Sequence, residues 1–412
     1  MKRCFGDDTR ISIALMSPTV ALAFQNLVLA VLSGLGVRFQ SIVQLVSKAV
    51  VGLVFLYAAP CVWRRSRSKV LTVYLVAGTV FLTHYLLFPD NRMYMNEFIF
   101  SLFFMCMPAF IYGSSLRNWA ELKAVMRRAS IVVLFIGMVW ALLAFMGRIS
   151  GTYNMSLSYV MLVPAIVFAD DGYTSKLSLM NLLYTAVSVA IISLFGSRGT
   201  LLCLCVFLLL RARLFKRSRF RDMFAFVFTI MFMTLTLLFH RDLLEGLVNI
   251  LVRLGVRSRS LALLLQPGVN WTGREVLYRS VLYAIYERPL LGIGLAGDRL
   301  VLNGAYVHNI FIEMIAHYGI MIGSMCSVFL VLLLLRSIWT QDPGSYELAI
   351  IWISIGLVPL LVSSSYLIRV DFWIMLGLLI GRKAIVNMNN EMQSSFRTSA
   401  DPEAVAAPFE LD

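Results

Sequence analysis

QSIVQLVSKAVVGLVFLYAAPCVWRRSRSK, residues 40–69, decides the fold class. Residues 40–63 are predominantly apolar, and about 20 such residues cross the hydrocarbon layer as a helix. No water inside the bilayer serves the backbone, so a crossing segment must satisfy its own amides, as a helix does. The run ends on Arg64, Arg65, Arg67 and Lys69, which belong among headgroups. The same alternation repeats along the chain, predicting spans near 11–36, 40–63, 69–88, 97–113, 129–147, 156–169, 177–195, 200–212, 223–240, 319–336, 348–365 and 371–382. Hydrophobic residues make up 59% of the chain and charged ones 14%, with a mean hydropathy of +0.81. A soluble domain could not present that composition to water. The expected fold is an all-α polytopic membrane protein with about twelve transmembrane helices.

Cytoplasmic loops retain Lys and Arg, and the loops of this chain separate into two sets. One set holds Arg64, Arg65, Arg67 and Lys69, then Arg117, Lys123, Arg127 and Arg128, then Arg211, Arg213, Lys216, Arg217, Arg219 and Arg221. Four short alternate loops carry one cation each: Arg92, Arg148, Arg198 and Arg369. The first set is therefore expected inside, with both termini cytoplasmic. The net charge of +14 reads as a topology signal and not as a nucleic-acid surface. The six cysteines, Cys4, Cys61, Cys106, Cys203, Cys205 and Cys326, lie mostly in apolar runs and form neither a disulfide framework nor a zinc pattern. Ala21–Ala23 has the spacing of a signal cleavage site, but the apolar run continues past it, so an uncleaved helix is expected. Residues 1–383 read as one transmembrane domain, including an external loop over 241–318, and 384–412 as a polar, disordered cytoplasmic tail.

The long external loop contains Arg241, Arg253, Arg257, Arg259, Arg274, Arg279, Arg288 and Arg299 and no lysine. Guanidinium binds phosphate oxygens through a planar fork, whereas ammonium is a point charge. The loop composition therefore points to a phosphorylated ligand at the outer face. Residues 241–256 have the spacing of an interfacial amphipathic helix. GREVLYRSVLYAIYERP, 273–289, reads as a helix between breakers, with Arg274 on its positive first turn. The glycines of ERPLLGIGLAG, 287–297, follow no strand, which rejects a dinucleotide site; they are expected to let the backbone turn closely against the membrane domain.

Carboxylates are nearly absent from the middle of the predicted spans, with Glu97, Glu347 and Asp371 at span ends. Ion-coupled transport needs intramembrane acids, so a coupled transporter is disfavoured. A metal site for a diphosphate needs hard oxygen ligands, and the first external connection offers none. Arginine is left as the counter-charge. GSRGT, 196–200, puts Arg198 between glycines at an outer helix break, and GAYVHNIFIEMIAHYG, 304–319, puts His308 and Asn309 at the mouth of an apolar run.

SRG at an outer break, GREVLY opening the loop helix, and PLLGIG followed by VHNIFIEMIAHYG before the next span stand in one order along the chain. That order, on a twelve-span layout with one large external loop, resembles the bacterial O-antigen ligase and Wzy-type O-antigen polymerase superfamily. The resemblance implies transfer of glycans from undecaprenyl diphosphate to an acceptor hydroxyl at the periplasmic face of the inner membrane, with inversion and without metal or other cofactor. It implies that Arg198 and Arg274 clamp the donor diphosphate and that His308 is catalytic. Arg279, Arg288 and Arg369 are further candidates for phosphate or sugar contact, and Asn309 accompanies His308. Guanidinium groups stabilise charge growing on the leaving diphosphate, and a neutral imidazole takes the hydroxyl proton; the positive helix end beside His308 favours the neutral ring.

The HNIFIEMIAHYGIMIG stretch is closer to the form common among polymerases, which join lipid-linked repeat units, than to ligases, which transfer the chain to lipid A-core. The expected partners are a lipid-linked glycan donor and acceptor, the bilayer and a chain-length regulator of polysaccharide export, with no nucleic acid. A polysaccharide flippase or exporter is the lower alternative, and a non-enzymatic assembly partner a third. Of the remaining histidines, His84 is expected to be a satisfied core or cavity residue, His240 lies at a membrane end, and His317 is expected to orient the loop-to-helix junction. Trp271, Tyr278 and Tyr306 are interface anchors or sugar-stacking rings.

Overall fold

The computed structural model describes residues 2–36, 39–149, 154–174, 179–195, 197–214 and 273–381. The expected span at 223–240, the amphipathic helix at 241–256, His240, Trp271, Lys216, Arg217, Arg219, Arg221 and the 384–412 tail lie outside the described residues. Every described element is helical. The helices are α1 (Lys2–Gly34), α2 (Gln40–Leu87), α3 (Pro89–Ser115), α4 (Trp119–Phe145), α5 (Met155–Thr174), α6 (Leu179–Phe195), α7 (Arg198–Arg211), α8 (Arg274–Glu287), α9 (Gly297–Val301), α10 (Ile310–Ile338), α11 (Pro343–Leu361) and α12 (Val370–Gly381).

Among the described residues, seven helices are long and apolar enough to cross a membrane: α1 to α5, α10 and α11. Helices α6 and α12 are apolar but shorter. Large hydrophobic side chains such as Leu53, Leu56, Phe135, Leu142 and Met325 point outward and are exposed, the reverse of a soluble surface and the state expected of a wall facing lipid. This is a membrane-embedded helical protein. Inside, Trp140 packs edge-on against Phe195 with ring centroids 4.8 Å apart, and Trp352 and Phe168 are fully buried.

Two of the long helices reverse within themselves. Ser66 in α2 has φ −146° and ψ 38°, outside the helical range. Before it, the Lys48 ammonium sits over the Phe100 ring at 5.2 Å and the Phe55 carbonyl accepts from the Tyr112 hydroxyl at 2.6 Å. After it, Lys69 Nζ donates to the Ser114 carbonyl at 3.1 Å and the Tyr74 hydroxyl to the Phe103 carbonyl at 2.9 Å. The first arm of α2 thus runs along α3 in one direction and the second arm returns, as the expected pair of spans 40–63 and 69–88 requires. Gly319 breaks α10 in the same way, with φ 79° and ψ 172°. A Cβ on Gly323 would stand 2.5 Å from the Ile315 Cα, so the chain after Gly319 folds back along the turn before it.

The described members of the two loop sets fall at opposite ends of the bundle. At one end Arg65 pairs with Asp8 at 2.6 Å, Thr9 donates to Glu121 at 2.9 Å, and Lys123 pairs with Asp170 at 2.7 Å and with Glu347. Arg211 meets Asp170 there at 3.1 Å. Helix α4 begins at Trp119 and not near 129 as expected, because Asn118 caps it by accepting from the Ala120 amide at 3.0 Å. That draws Lys123 and Arg127 into a helix whose carboxylate partners compensate them. At the other end lie Asn91, Asn154, Phe195, the 362–369 loop and the segment 288–309.

Candidate active site

The segment after α8 is pinned at three places. Asn91 Nδ2 donates to the Ile293 and Leu295 carbonyls at 2.8 and 3.1 Å. The Leu295 amide donates to His84 Nδ1 at 3.1 Å, and His84 is half-buried there. The Ile293 amide donates to the Ala316 carbonyl at 2.7 Å. Gly292 lies directly against Ala316 and Gly319, where any Cβ would overlap backbone. This is the close approach that the glycines of PLLGIG permit.

Helix α9 follows and carries Asp298, which is 1% exposed. Its Oδ1 accepts from His317 Nε2 at 3.0 Å and its Oδ2 from the Val307 amide at 3.2 Å. A carboxylate only accepts, so His317 Nε2 holds the proton. His317 Nδ1 lies 2.9 Å from the Tyr366 hydroxyl, which donates to the Tyr318 hydroxyl at 3.1 Å. Burial acts to raise the Asp298 pKa. The hydrogen bond and charge of His317, the Arg299 guanidinium and the Val307 amide prevail and hold it below the usual carboxylate value.

His308 is clamped between two fixed neighbours. Val307 is tied to Asp298, and Asn309 Oδ1 caps α10 by accepting from the Phe311 and Ile312 amides at 3.0 and 3.3 Å. The residue between them has φ 56°, a left-handed conformation that costs a β-carbon residue roughly 1–2 kcal/mol. Such strain persists only where its surroundings over-determine it. The His308 ring lies 4.2 Å from that of Tyr306, whose hydroxyl donates to the Ser363 carbonyl at 2.9 Å. His308 Nδ1 is buried without a hydrogen-bond partner among the described residues. Burial first, and the Arg274 charge second, lower the His308 pKa, against the pull of Asp298. Both causes favour the uncharged ring.

Arg274 reaches the same place from α8. Its Nη2 donates to the Val362 carbonyl at 2.6 Å, and a Cβ on Gly199 would lie 3.2 Å from Val362 Cγ2 and 2.7 Å from Tyr159 Oη. The first turn of α7, which Arg198 opens, therefore packs on the loop that holds Arg274. Ser158 fastens that turn, accepting from the Ser197 amide at 3.2 Å and bonding the Thr200 hydroxyl at 2.7 Å. The structure thus brings together the backbone at Arg198, the Arg274 guanidinium and the His308 ring around residues 362–363. Arg279 is not among them: it is exposed on α8, whose Val281 and Ile285 face inward. Arg288 is exposed as well. Asn309 stands beside His308, with its carbonyl oxygen engaged as a cap.

Several groups at this end went unread in the sequence. Glu313 is 1% exposed, its carboxylate accepting from the Ser365 hydroxyl and, at 3.4 Å, from the Tyr366 amide. Asp298, Glu313 and His317 present ligand atoms within 4.8 Å of one another, a donor set in which a divalent ion is chemically reasonable. Each of the three is already bonded within the protein, which makes the group a hydrogen-bonded support for the 298–309 turn. The spacing of Glu313 and His317, four apart on one helical face, was the one local sign of it. Neither Asp298 nor the SSSY loop at 363–366 carries such a sign, because their partners lie on distant segments.

No protein-family model matches the chain, and none of the curated proteins searched matches it.

Proposed function

We propose that this protein is an inner-membrane polysaccharide polymerase of the O-antigen type, an inverting, metal-independent glycosyltransferase acting on undecaprenyl-diphosphate-linked repeat units at the periplasmic face. In this reading the chain has twelve spans with both termini cytoplasmic, and 241–318 is the periplasmic loop. The observation that carries it is the pairing of a half-buried imidazole at His308, its Nδ1 buried and without a partner among the described residues and its pKa lowered, with the Arg274 guanidinium beside it. A base and a cation together are what glycosyl transfer from a diphosphate needs. The acceptor hydroxyl oxygen attacks the anomeric carbon, its proton passes to His308, and the bond to the diphosphate oxygen breaks with the electron pair leaving on phosphate. Arg274 and Arg198 balance that charge.

The test is His308→Gln in cells lacking the native gene, with surface polysaccharide resolved on a gel. Loss of the ladder with unit-capped core remaining supports the polymerase. Loss of every capped species indicates the ligase, transferring the glycan to lipid A-core. A ladder at wild-type level removes the catalytic role and leaves the flippase or assembly-partner reading.

A further inference from the structure

Beside the His308 site, between helices of the bundle, lies a cavity of about 430 Å³. It is lined by α1, the first arm of α2, α3, α5 and the 364–371 segment, and its polar residues include Gln25, Gln44, Lys48, Tyr159 and Arg369. Lys48 is eight residues into α2 from Gln40, roughly 12 Å along the helix at about 1.5 Å per residue. An ionisable residue at such depth is costly without a function. Lys48 is exposed and forms no ion pair among the described residues; its ammonium rests on the Phe100 ring. Snorkelling along one helix explains a lone lysine, but it does not explain glutamines on two helices turned into the same space.

The second cation of the cavity is Arg369. Its Nη2 pairs with Asp371 at 2.9 Å and its guanidinium lies 4.9 Å from the centre of the Tyr159 ring, while its Nε is buried with no hydrogen-bond partner among the described residues. Lys48, Arg369 and Asp371 together leave one positive charge. Leu22 and Phe100, which line the cavity, are each 37% exposed, so the cavity is open to the surroundings between helices, where lipid reaches it. One layer separates it from His308: Tyr159 bonds the Ser363 hydroxyl, and Ser363 holds Tyr306.

We propose that this cavity binds the phosphate headgroup of a membrane lipid, with Lys48 as its anchoring charge, and that under the polymerase reading this lipid is the second polyprenyl-diphosphate-linked substrate. Only its identity rests on that reading. The phosphate chemistry could equally be met by an anionic phospholipid.

The test uses the full-length protein in phosphatidylcholine nanodiscs and polyprenyl diphosphate bearing a photoreactive group near its headgroup, with crosslinks mapped by mass spectrometry. Crosslinks to 44–51 and 100–105 are expected, falling roughly tenfold in Lys48→Ala, as for a lost charge-assisted contact, and largely retained in Lys48→Arg. Competition by phosphatidylglycerol equal to that of unlabelled polyprenyl diphosphate keeps the site but assigns it to bulk lipid. Wild-type crosslinking in a Lys48→Ala protein that unfolds at the wild-type temperature overturns the proposal. His308→Gln should crosslink normally, so a failure of the polymerase reading in the gel assay is distinguishable from a failure of this one.

Discussion

Asp298 and His317 face each other at 3.0 Å across nineteen positions of sequence, and the second oxygen of the same carboxylate holds the Val307 amide at 3.2 Å. The pair fixes the peptide entering His308. Asp298→Asn presents an amide nitrogen to one of two donors that both require an acceptor. If His308 is the base, turnover should fall roughly a hundredfold, the cost of about 1 Å of misplacement, with KM for the lipid-linked donor little changed. Reconstituted transfer assays check this; Asp298→Glu, which keeps the acceptor, should recover part of the rate, whereas a purely structural loss would not separate kcat from KM.

The His308 pKa sits below its ordinary value of about 6.5. A base acts when unprotonated, so transfer should persist through pH 6.5 and decline only as the pH drops below that through the depressed pKa. Removing the Arg274 charge takes away one of the two causes of the shift, and the acid limb of Arg274→Gln should move to higher pH. A pH–rate profile of kcat/KM reads both; a limb above pH 7 in the unmodified protein contradicts the neutral-base role.

Arg274 and Arg279 lie on one helix turned to different surroundings. Arg274→Ala should lower transfer by about 10²–10³, the scale of losing one charge-stabilising donor. Arg274→Lys, which keeps charge but not the planar fork, should remain well below wild type. Exposed Arg279→Ala should stay within about twofold. Equal loss at both positions would indicate that the helix, and not the guanidinium, matters.

Gly319 combines φ 79° with a site where any Cβ overlaps the Leu290 carbonyl. Gly319→Ala should cost more than about 3 kcal/mol through strain and displacement of the 288–293 segment. Gly52→Ala, in helix with nothing within 4 Å of the new methyl, should be neutral or slightly stabilising. Thermal unfolding in detergent compares them.

Much of the architecture was legible because hydrophobicity acts locally. Each run of apolar residues carries its own instruction to enter a bilayer, and the helices Gln40–Leu87, Pro89–Ser115, Met155–Thr174, Leu179–Phe195 and Pro343–Leu361 lie close to the expected runs 40–63, 69–88, 97–113, 156–169, 177–195 and 348–365. The reversal at Ser66 sits between two runs and the one at Gly319 at the start of the run 319–336, for the same reason. Helix α4 ran earlier than composition indicated because carboxylates on α5 and α11, invisible to a local reading, offset its cations.

The candidate site divides along the same line. Sequence by itself determined that this is a helical membrane protein, and it singled out Arg198, Arg274 and His308 by residue type and by their positions at helix breaks. Only the tertiary structure decided which polar groups meet: Arg279 left outside, Asn309 engaged as a cap, Asp298 and Glu313 drawn in with His317, and Lys48 turned into a cavity with Arg369. A buried polar group must find its partner wherever the fold brings one, and such partners lie tens to hundreds of positions away, beyond the reach of any local pattern.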